Sequence, residues 1–328
     1  QVTGFAQAQD RPPDSSWLEL QNLNIQARYQ YIDNSAGITV RDHLQHKEQI
    51  QGRLWLDPRR RLSLNALVYG GSGFTSGWNG TGWGSDAVTN LWFRRLFLSF
   101  EPGWGVQVQY GGLGMARGQS TEITSYDNDG YLLGGRLTLQ RPDELFFDQI
   151  AVTYAYLGDT RTPDVFQRFD RWDESNYHQF LVEKRLSQRI TVSVDYTFQA
   201  GIETLRQAAR VRVPETVVLD SIRFENYQRL DVQRDFGFAL QGEKSLHRMV
   251  GVAGGYADID PNYGGLNADR FNIGRRLFAV TNISPLKDFQ VEVFFQRAVA
   301  NDFAVSNRTR LDVIFGYNLW SGLRAMFR

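Results

Sequence analysis

From residue 17 onward, apolar side chains recur at every second position, in one segment after another. In 190–198 one parity reads Ile190, Val192, Val194, Tyr196, Phe198, and the other reads Thr191, Ser193, Asp195, Thr197. Successive side chains of a strand point to opposite faces, so this segment has one apolar and one polar face. The same split runs through Leu23–Tyr31, Ile50–Leu56, Val106–Tyr110, Leu133–Leu139, Ile150–Tyr156, Phe236–Leu240 and Phe289–Phe295. No long stretch favours the i, i+3, i+4, i+7 spacing of an amphipathic helix. The chain is therefore expected to be all-β.

The connectors alternate between short and long. Short ones centre on Asp57-Pro58, Pro102-Gly103-Trp104-Gly105, Ser187-Gln188-Arg189, Ser245-Leu246-His247 and Ser284-Pro285. Long ones run over 71–89, 115–129, 159–176, 203–231, 259–273 and 299–308, and are rich in Gly, Asn, Asp, Ser and Pro. Tight turns at one end of a sheet and long loops at the other are the pattern of a transmembrane β-barrel. A soluble sandwich gives no reason for it. Counting from Trp17 gives 14 strands, over 17–33, 45–57, 61–72, 90–101, 104–115, 130–141, 148–158, 176–187, 189–204, 230–244, 248–258, 273–284, 287–299 and 309–327. The stretch 205–231 could instead add a hairpin, which makes 16 strands the second reading. Either even count puts both ends of the sheet on the short-turn side.

Composition agrees. Lys+Arg and Asp+Glu both number 36, so the charge that a dedicated nucleic-acid binder needs is missing. The chain has no cysteine, which excludes disulfides, thiolate metal sites and thiol nucleophiles. No apolar run approaches the roughly 20 residues of a membrane-spanning helix. Alternating barrel strands average to a polar score and escape that test. Aromatic residues near the expected strand ends suit interfacial girdles: Tyr29, Tyr31, Tyr69, Trp92, Trp104, Tyr110, Tyr154, Tyr156, Tyr317 and Trp320.

At the end of the chain Leu311, Val313, Phe315, Tyr317, Leu319, Leu323, Ala325 and Phe327 hold a single parity. This resembles the closing strand of bacterial outer-membrane β-barrel proteins of the porin-like class, which ends on an aromatic; here Arg328 follows Phe327. The resemblance implies a mature chain in the bacterial outer membrane with its signal peptide removed. It implies a periplasmic segment over 1–16, one barrel domain over 17–328, and assembly by the barrel-insertion machinery. A homo-oligomer or an envelope partner is compatible with it.

The polar parity carries the functional expectation. Arg28, Arg53, Arg136, Asp195, Asp235, Glu243, Glu292 and Asp312 lie on it. Charges facing lipid near the midplane would cost about 2–4 kcal/mol each, so these must face a lumen. Arg61, Arg94, Arg95, Arg275, Arg276 and Arg310 add cations near strand starts or in blurred strands. A lumen with both signs suits passive passage of small hydrophilic solutes. A structural or partner-binding barrel and a substrate-selective uptake channel are the alternatives.

Enzymatic and cofactor chemistry is not expected. Ser175, Asn176 and His178 are the residue types of a hydrolase group, but strand alternation would point Ser175 away from the other two, and no Gly-x-Ser-x-Gly elbow is present. His43 and His46 would diverge on a strand, which argues against a metal site. Asp127-Asn128-Asp129-Gly130 offers oxygen ligands for calcium through Asp127 and Asp129, without the bidentate Glu of a full calcium loop. Asn, Asp and Gly also simply make turns.

Overall fold

A computed structural model describes residues 16–70, 91–125, 131–141, 145–158, 165–214, 218–232, 236–260, 271, 273–299 and 308–320. Its strands are β1 (Leu18–Asp33), β2 (Thr39–Trp55), β3 (Leu62–Gly70), β4 (Leu91–Gly103), β5 (Val106–Gly114) and β6 (Tyr131–Gln140). There follow β7 (Gln149–Tyr156), β8 (Tyr177–Arg185), β9 (Ile190–Gln199), β10 (Ile202–Arg212) and β11 (Ser221–Arg229). The last five are β12 (Phe236–His247), β13 (Val250–Ile259), β14 (Gly274–Leu286), β15 (Phe289–Ala298) and β16 (Thr309–Asn318). Each strand pairs antiparallel with its neighbours in sequence, and β1 pairs with β16 from Asn24↔Asn318 to Asp33↔Thr309. The sheet is a closed up-and-down barrel. Among the described residues no helix is long and apolar enough to cross a membrane.

The strand count is 16, not 14. The two strands beyond the leading count are β10 and β11, which occupy the stretch first read as a connector. Ala200 and Gly201 alone join β9 to β10, with φ of 47° and 92°. Positive φ at both central residues makes the tight turn whose twist matches the flanking strands, and glycine adopts it without penalty. Ala-Gly is a weaker turn signal than Asn-Gly, which hid the hairpin. The strict alternation of connector length fails for a related reason. The long-loop end also carries three brief connections, at 34–38, 200–201 and 230–235.

The barrel is inverted relative to a soluble protein. Val152, Val194, Phe224, Leu240, Leu277, Phe295 and Phe315 are exposed on the outside. Gln30, Gln45, Thr153, Gln179, Asp195, Thr197, Gln296 and Asp312 are buried on the inside. A wall apolar outward and polar inward is stable only where the outside is hydrocarbon. Some outward positions depart from the rule. Gln207 faces Asn226 across β10 and β11, and His46 Nδ1 lies 2.8 Å from Glu48 Oε1 on β2. Tyr69, expected in a girdle, points inward and is 6% exposed.

Two further features shape the wall. The connection from β7 to β8 contains a 3-10 helix, Val165–Arg171, laid on the outer face of β4–β6. Val165 is buried there among Phe93, Leu96 and Phe169. A methyl group at Gly112 would come within 2.3 Å of Val165 Cγ2, so the close approach requires glycine. At the short-turn end, Asp148 before β7 and Asp220 before β11 make the same clasp, each onto the next strand. Asp148 accepts from Lys184 Nζ at 3.1 Å and from the Arg185 amide at 2.8 Å. Asp220 accepts from Lys244 Nζ at 2.7 Å and from the Ser245 amide at 2.7 Å.

Two predictions follow from the wall and its clasps. Val194→Arg places a cation in lipid at the centre of β9 and should destabilise the inserted barrel by about 2–4 kcal/mol. Gln107→Arg, inward and beside Glu101 through the Gln107 amide bond of 2.8 Å, should assemble nearly normally. Quantifying the heat-modifiable form in cells compares them, and equal loss from both would contradict the lipid-to-lumen division. The Lys244 hydrogen bond, then the Ser245 amide, holds the Asp220 carboxyl below the usual carboxylate range. Its folded value lies below the unfolded one, so the clasp stabilises above the unfolded pKa and is lost as pH falls through the folded one. Acid unfolding in detergent should therefore show a steeper loss for the parent than for Asp220→Asn in that window.

Candidate functional site

The barrel interior collects the polar parity. Arg28 on β1 is 1% exposed, and its Nε and Nη2 donate to Gln45 Oε1 at 2.9 and 2.6 Å. Asp312 on β16 is fully buried and accepts from Arg310 Nη2 at 2.7 Å and from Gln30 Nε2 at 2.9 Å, with Arg28 Nη1 at 4.0 Å. Arg53 Nε donates to Asn65 Oδ1 at 2.9 Å. Arg136 Nε donates to Thr153 Oγ1 at 3.0 Å, and its Nη2 to the Gly114 carbonyl at 2.5 Å. Asp195 accepts from Arg206 Nη1 at 3.2 Å and from Gln179 Nε2 at 3.0 Å. Glu243 accepts from Arg210 Nη2 at 2.7 Å and from Ser221 Oγ at 2.6 Å, with Arg223 Nη2 at 3.3 Å. Glu292 stands on the inward parity of β15, opposite Asn282. Among the described residues of this set, Arg28 Nη1 and Asp312 Oδ2 come within 4.0 Å. Asp235 and the calcium candidates Asp127 and Asp129 lie outside the described residues.

The segment after β5 enters the interior. Gln179 Nε2 donates to the Ala116 carbonyl at 2.9 Å, and the Gln119 amide donates to Ser193 Oγ at 2.8 Å. Gln119 Nε2 donates to Glu183 Oε2 at 2.8 Å. Glu225 on β11 is the main anchor. It accepts from the Thr121 amide at 2.7 Å, from Thr124 Oγ1 at 2.6 Å and from Thr121 Oγ1. Arg206 Nε donates to the Thr124 carbonyl at 2.7 Å. Ile123 completes an apolar cluster with inward Tyr227, Ala239, Ala257, Ile259, Phe278 and Phe294, and with Phe271. Gly118 lies against Ser193, where a Cβ would fall 2.4 Å from the serine Cβ. Starting at β5 and fixed to β8–β11, the segment spans the interior and narrows it. Arg28, Arg94, Arg276 and Arg310 are all but fully buried, so the inside is closely packed around them.

Glu225, Arg206 and Glu183 escaped the sequence reading. The first two lie in the stretch taken as a connector. Glu183 shares the inward parity of Gln179 and Leu181, a pattern blurred by the outward Lys184 beside it.

The histidines take separate places. His43 faces Gln30 inside and His46 faces Ala27 outside, so the two do diverge. Ser175, expected to point away from His178, has its Oγ 2.8 Å from His178 Nε2. It precedes β8, where strand alternation does not apply. Asn176 is occupied elsewhere, bonded to the Leu157 backbone at 2.6 and 2.8 Å. Among the described residues no carboxylate orients the His178 ring, which stacks on Tyr154 at 4.7 Å and Phe198 at 5.5 Å.

No protein-family model and no curated protein matches the chain. Solved structures do. A Rhodopseudomonas blastica porin variant aligns with TM-score 0.58 at 12% identity, over 92% of this chain and 99% of its own. A second variant of that porin gives TM-score 0.58 at 13% identity over the same shares. Salmonella typhi OmpF, in complex with daunomycin, gives 0.55 at 11% identity, over 92% of this chain and 97% of its own. The architecture is that of a bacterial porin barrel.

Removing the Glu225 carboxylate leaves the Thr121 amide and two threonine hydroxyls without their acceptor, at a cost of about 1–3 kcal/mol per buried group. Glu225→Ala should release the inserted segment, and trypsin should then cut the folded barrel after Arg117 much faster than the parent. Unchanged protection would show that the contacts of Ile123 and the bonds to Gln179, Glu183, Ser193 and Arg206 hold the segment without Glu225.

Proposed function

We propose that the protein is an outer-membrane pore giving passive diffusion of small hydrophilic solutes through the barrel interior. The observation that carries this reading is the inversion of the wall, with exposed Val194, Leu240 and Phe315 outside and buried Gln45, Gln179 and Asp312 inside. A closed sheet of this polarity satisfies every strand in lipid and leaves a polar path through its middle. The barrels it resembles are named as porins, which supports the same function for this chain. The long loops then face the exterior, and the short turns with the segment 1–16 face the periplasm. The domain layout is that segment followed by one barrel over 17–328, in a mature chain inserted by the barrel-assembly machinery. No catalytic step is assigned to it.

The close packing around Arg28, Arg94, Arg276 and Arg310 favours a narrow passage and gives the partner-binding barrel its one specific support. Purified protein in planar bilayers separates the two readings. The pore reading expects discrete conductance steps from the protein alone. A silent membrane, with protein shown to be folded by heat-modifiable migration, would contradict it and favour a barrel that serves a partner.

A further inference from the structure

On the outer face of β15 the apolar parity runs through Val291, Val293 and Phe295 and then gives way to Arg297. Arg297 is the last outward position of that strand, at its long-loop end. It stands in register with Leu277 of β14 on one side and Thr309 of β16 on the other.

A cavity of about 410 Å³ opens here on the outside of the barrel. Leu277, Phe295, Ala298 and Val299 are its apolar lining residues, and Arg297 and Arg308 are its charged ones. Leu277, Phe295 and Val299 are exposed, as is Arg297. Among the described residues neither Arg297 nor Arg308 makes a side-chain hydrogen bond or an ion pair. Other charges at this end are engaged. Asp33 accepts from the Thr309 amide at 2.7 Å, and Asp258 faces Arg275 across β13 and β14. Arg171, in the 3-10 helix, is paired with Glu174.

An arginine at the edge of the apolar band lays its stem along apolar surface and keeps its head at the polar level of the membrane. Two such heads beside exposed Leu277 and Phe295 make a site with a cationic part and an apolar part. A lipid with a phosphate headgroup complements both. Guanidinium N–H groups match phosphate oxygens in charge and geometry, while acyl chains continue down the apolar wall. Free phosphate would use the cations alone.

We propose that the cavity at the long-loop end of β14–β16 binds a lipid with a phosphate-bearing headgroup, held by Arg297 and Arg308 and by acyl contact with Leu277 and Phe295. The site is on the outside of the wall, so it goes beyond the pore reading and does not depend on conduction through the interior. It places a bound lipid next to β16, the strand that closes the barrel onto β1.

Native mass spectrometry of the purified full-length protein tests this, in neutral detergent with equimolar phosphatidic acid and phosphatidylcholine. Phosphatidic acid should be retained several-fold more than phosphatidylcholine, with one molecule per barrel as the dominant bound form. Arg297→Gln with Arg308→Gln should remove most of that preference. Arg171→Gln, at the same end of the barrel, should leave it unchanged. Millimolar inorganic phosphate should not displace the lipid. Should the double variant fail to assemble, each single variant should still lose part of the preference. No preference in folded parent protein would overturn the site. A graded series of adducts without a dominant first one, or an equal loss from Arg171→Gln, would overturn it in favour of general surface charge. Unaltered retention in the Arg297 and Arg308 variants would overturn its location. Displacement by inorganic phosphate would overturn the lipid and leave a site for the free oxyanion.

Discussion

Closure of the backbone hydrogen-bond ladder is the constraint on which the rest of the structure depends. A strand edge left open in hydrocarbon exposes a row of N–H and C=O groups at several kcal/mol each. Here β16 returns to β1 over ten paired positions, from Asn24↔Asn318 to Asp33↔Thr309, and the sheet has no edge. Once the ladder closes, period two divides the side chains into a set that meets lipid and a set that meets the interior. The apolar excess at Val194, Leu240 and Phe315 and the buried polar set at Gln45, Gln179 and Asp312 are both consequences of that division.

An interior of polar side chains imposes its own condition, because each buried donor or acceptor needs a partner. A barrel of this size leaves more space than wall side chains fill. The chain fills part of it with its own segment after β5, and satisfies that segment with Glu225, Glu183, Ser193 and Arg206. On the β11–β15 side the wall turns locally apolar at Ala239, Ala257, Phe278 and Phe294 and receives Ile123. The interior wall is thus polar along part of its circumference and locally apolar along the rest.

Much of this was legible in the sequence, and the failures have physical causes. Parity alone placed Arg28, Arg53, Arg136, Asp195, Glu243 and Asp312 on the inner wall, because alternation is a backbone property that needs no tertiary knowledge. It failed over β10 and β11, where outward Gln207 and Asn226 break the apolar parity and Ala200-Gly201 makes a two-residue turn without the usual Asn. Glu225 and Arg206 disappeared with those strands. The inserted segment was out of reach for a different reason. Its course is fixed by hydrogen bonds to residues 63–104 positions away along the chain, and nothing local in Met115–Ser125 announces them. The inward face of Tyr69 was legible, since it shares the alternate positions of buried Ser63, Asn65 and Leu67 on β3; its contacts with Lys47 and Arg94 were not.

The central claim is that one face of every strand meets lipid and the other meets the barrel interior. The natural chain has no cysteine, so single cysteines report on their own positions without interference. The most direct measurement introduces them in turn at Gln107, Val108, Gln109, Thr191, Val194, Leu240 and Gln241, and reads their reaction with a charged, membrane-impermeant thiol reagent in liposomes. Gln107, Gln109, Thr191 and Gln241 should react, while Val108, Val194 and Leu240 should be shielded by the bilayer. Reactivity without a period of two, or uniform reaction at both sets, would contradict the account.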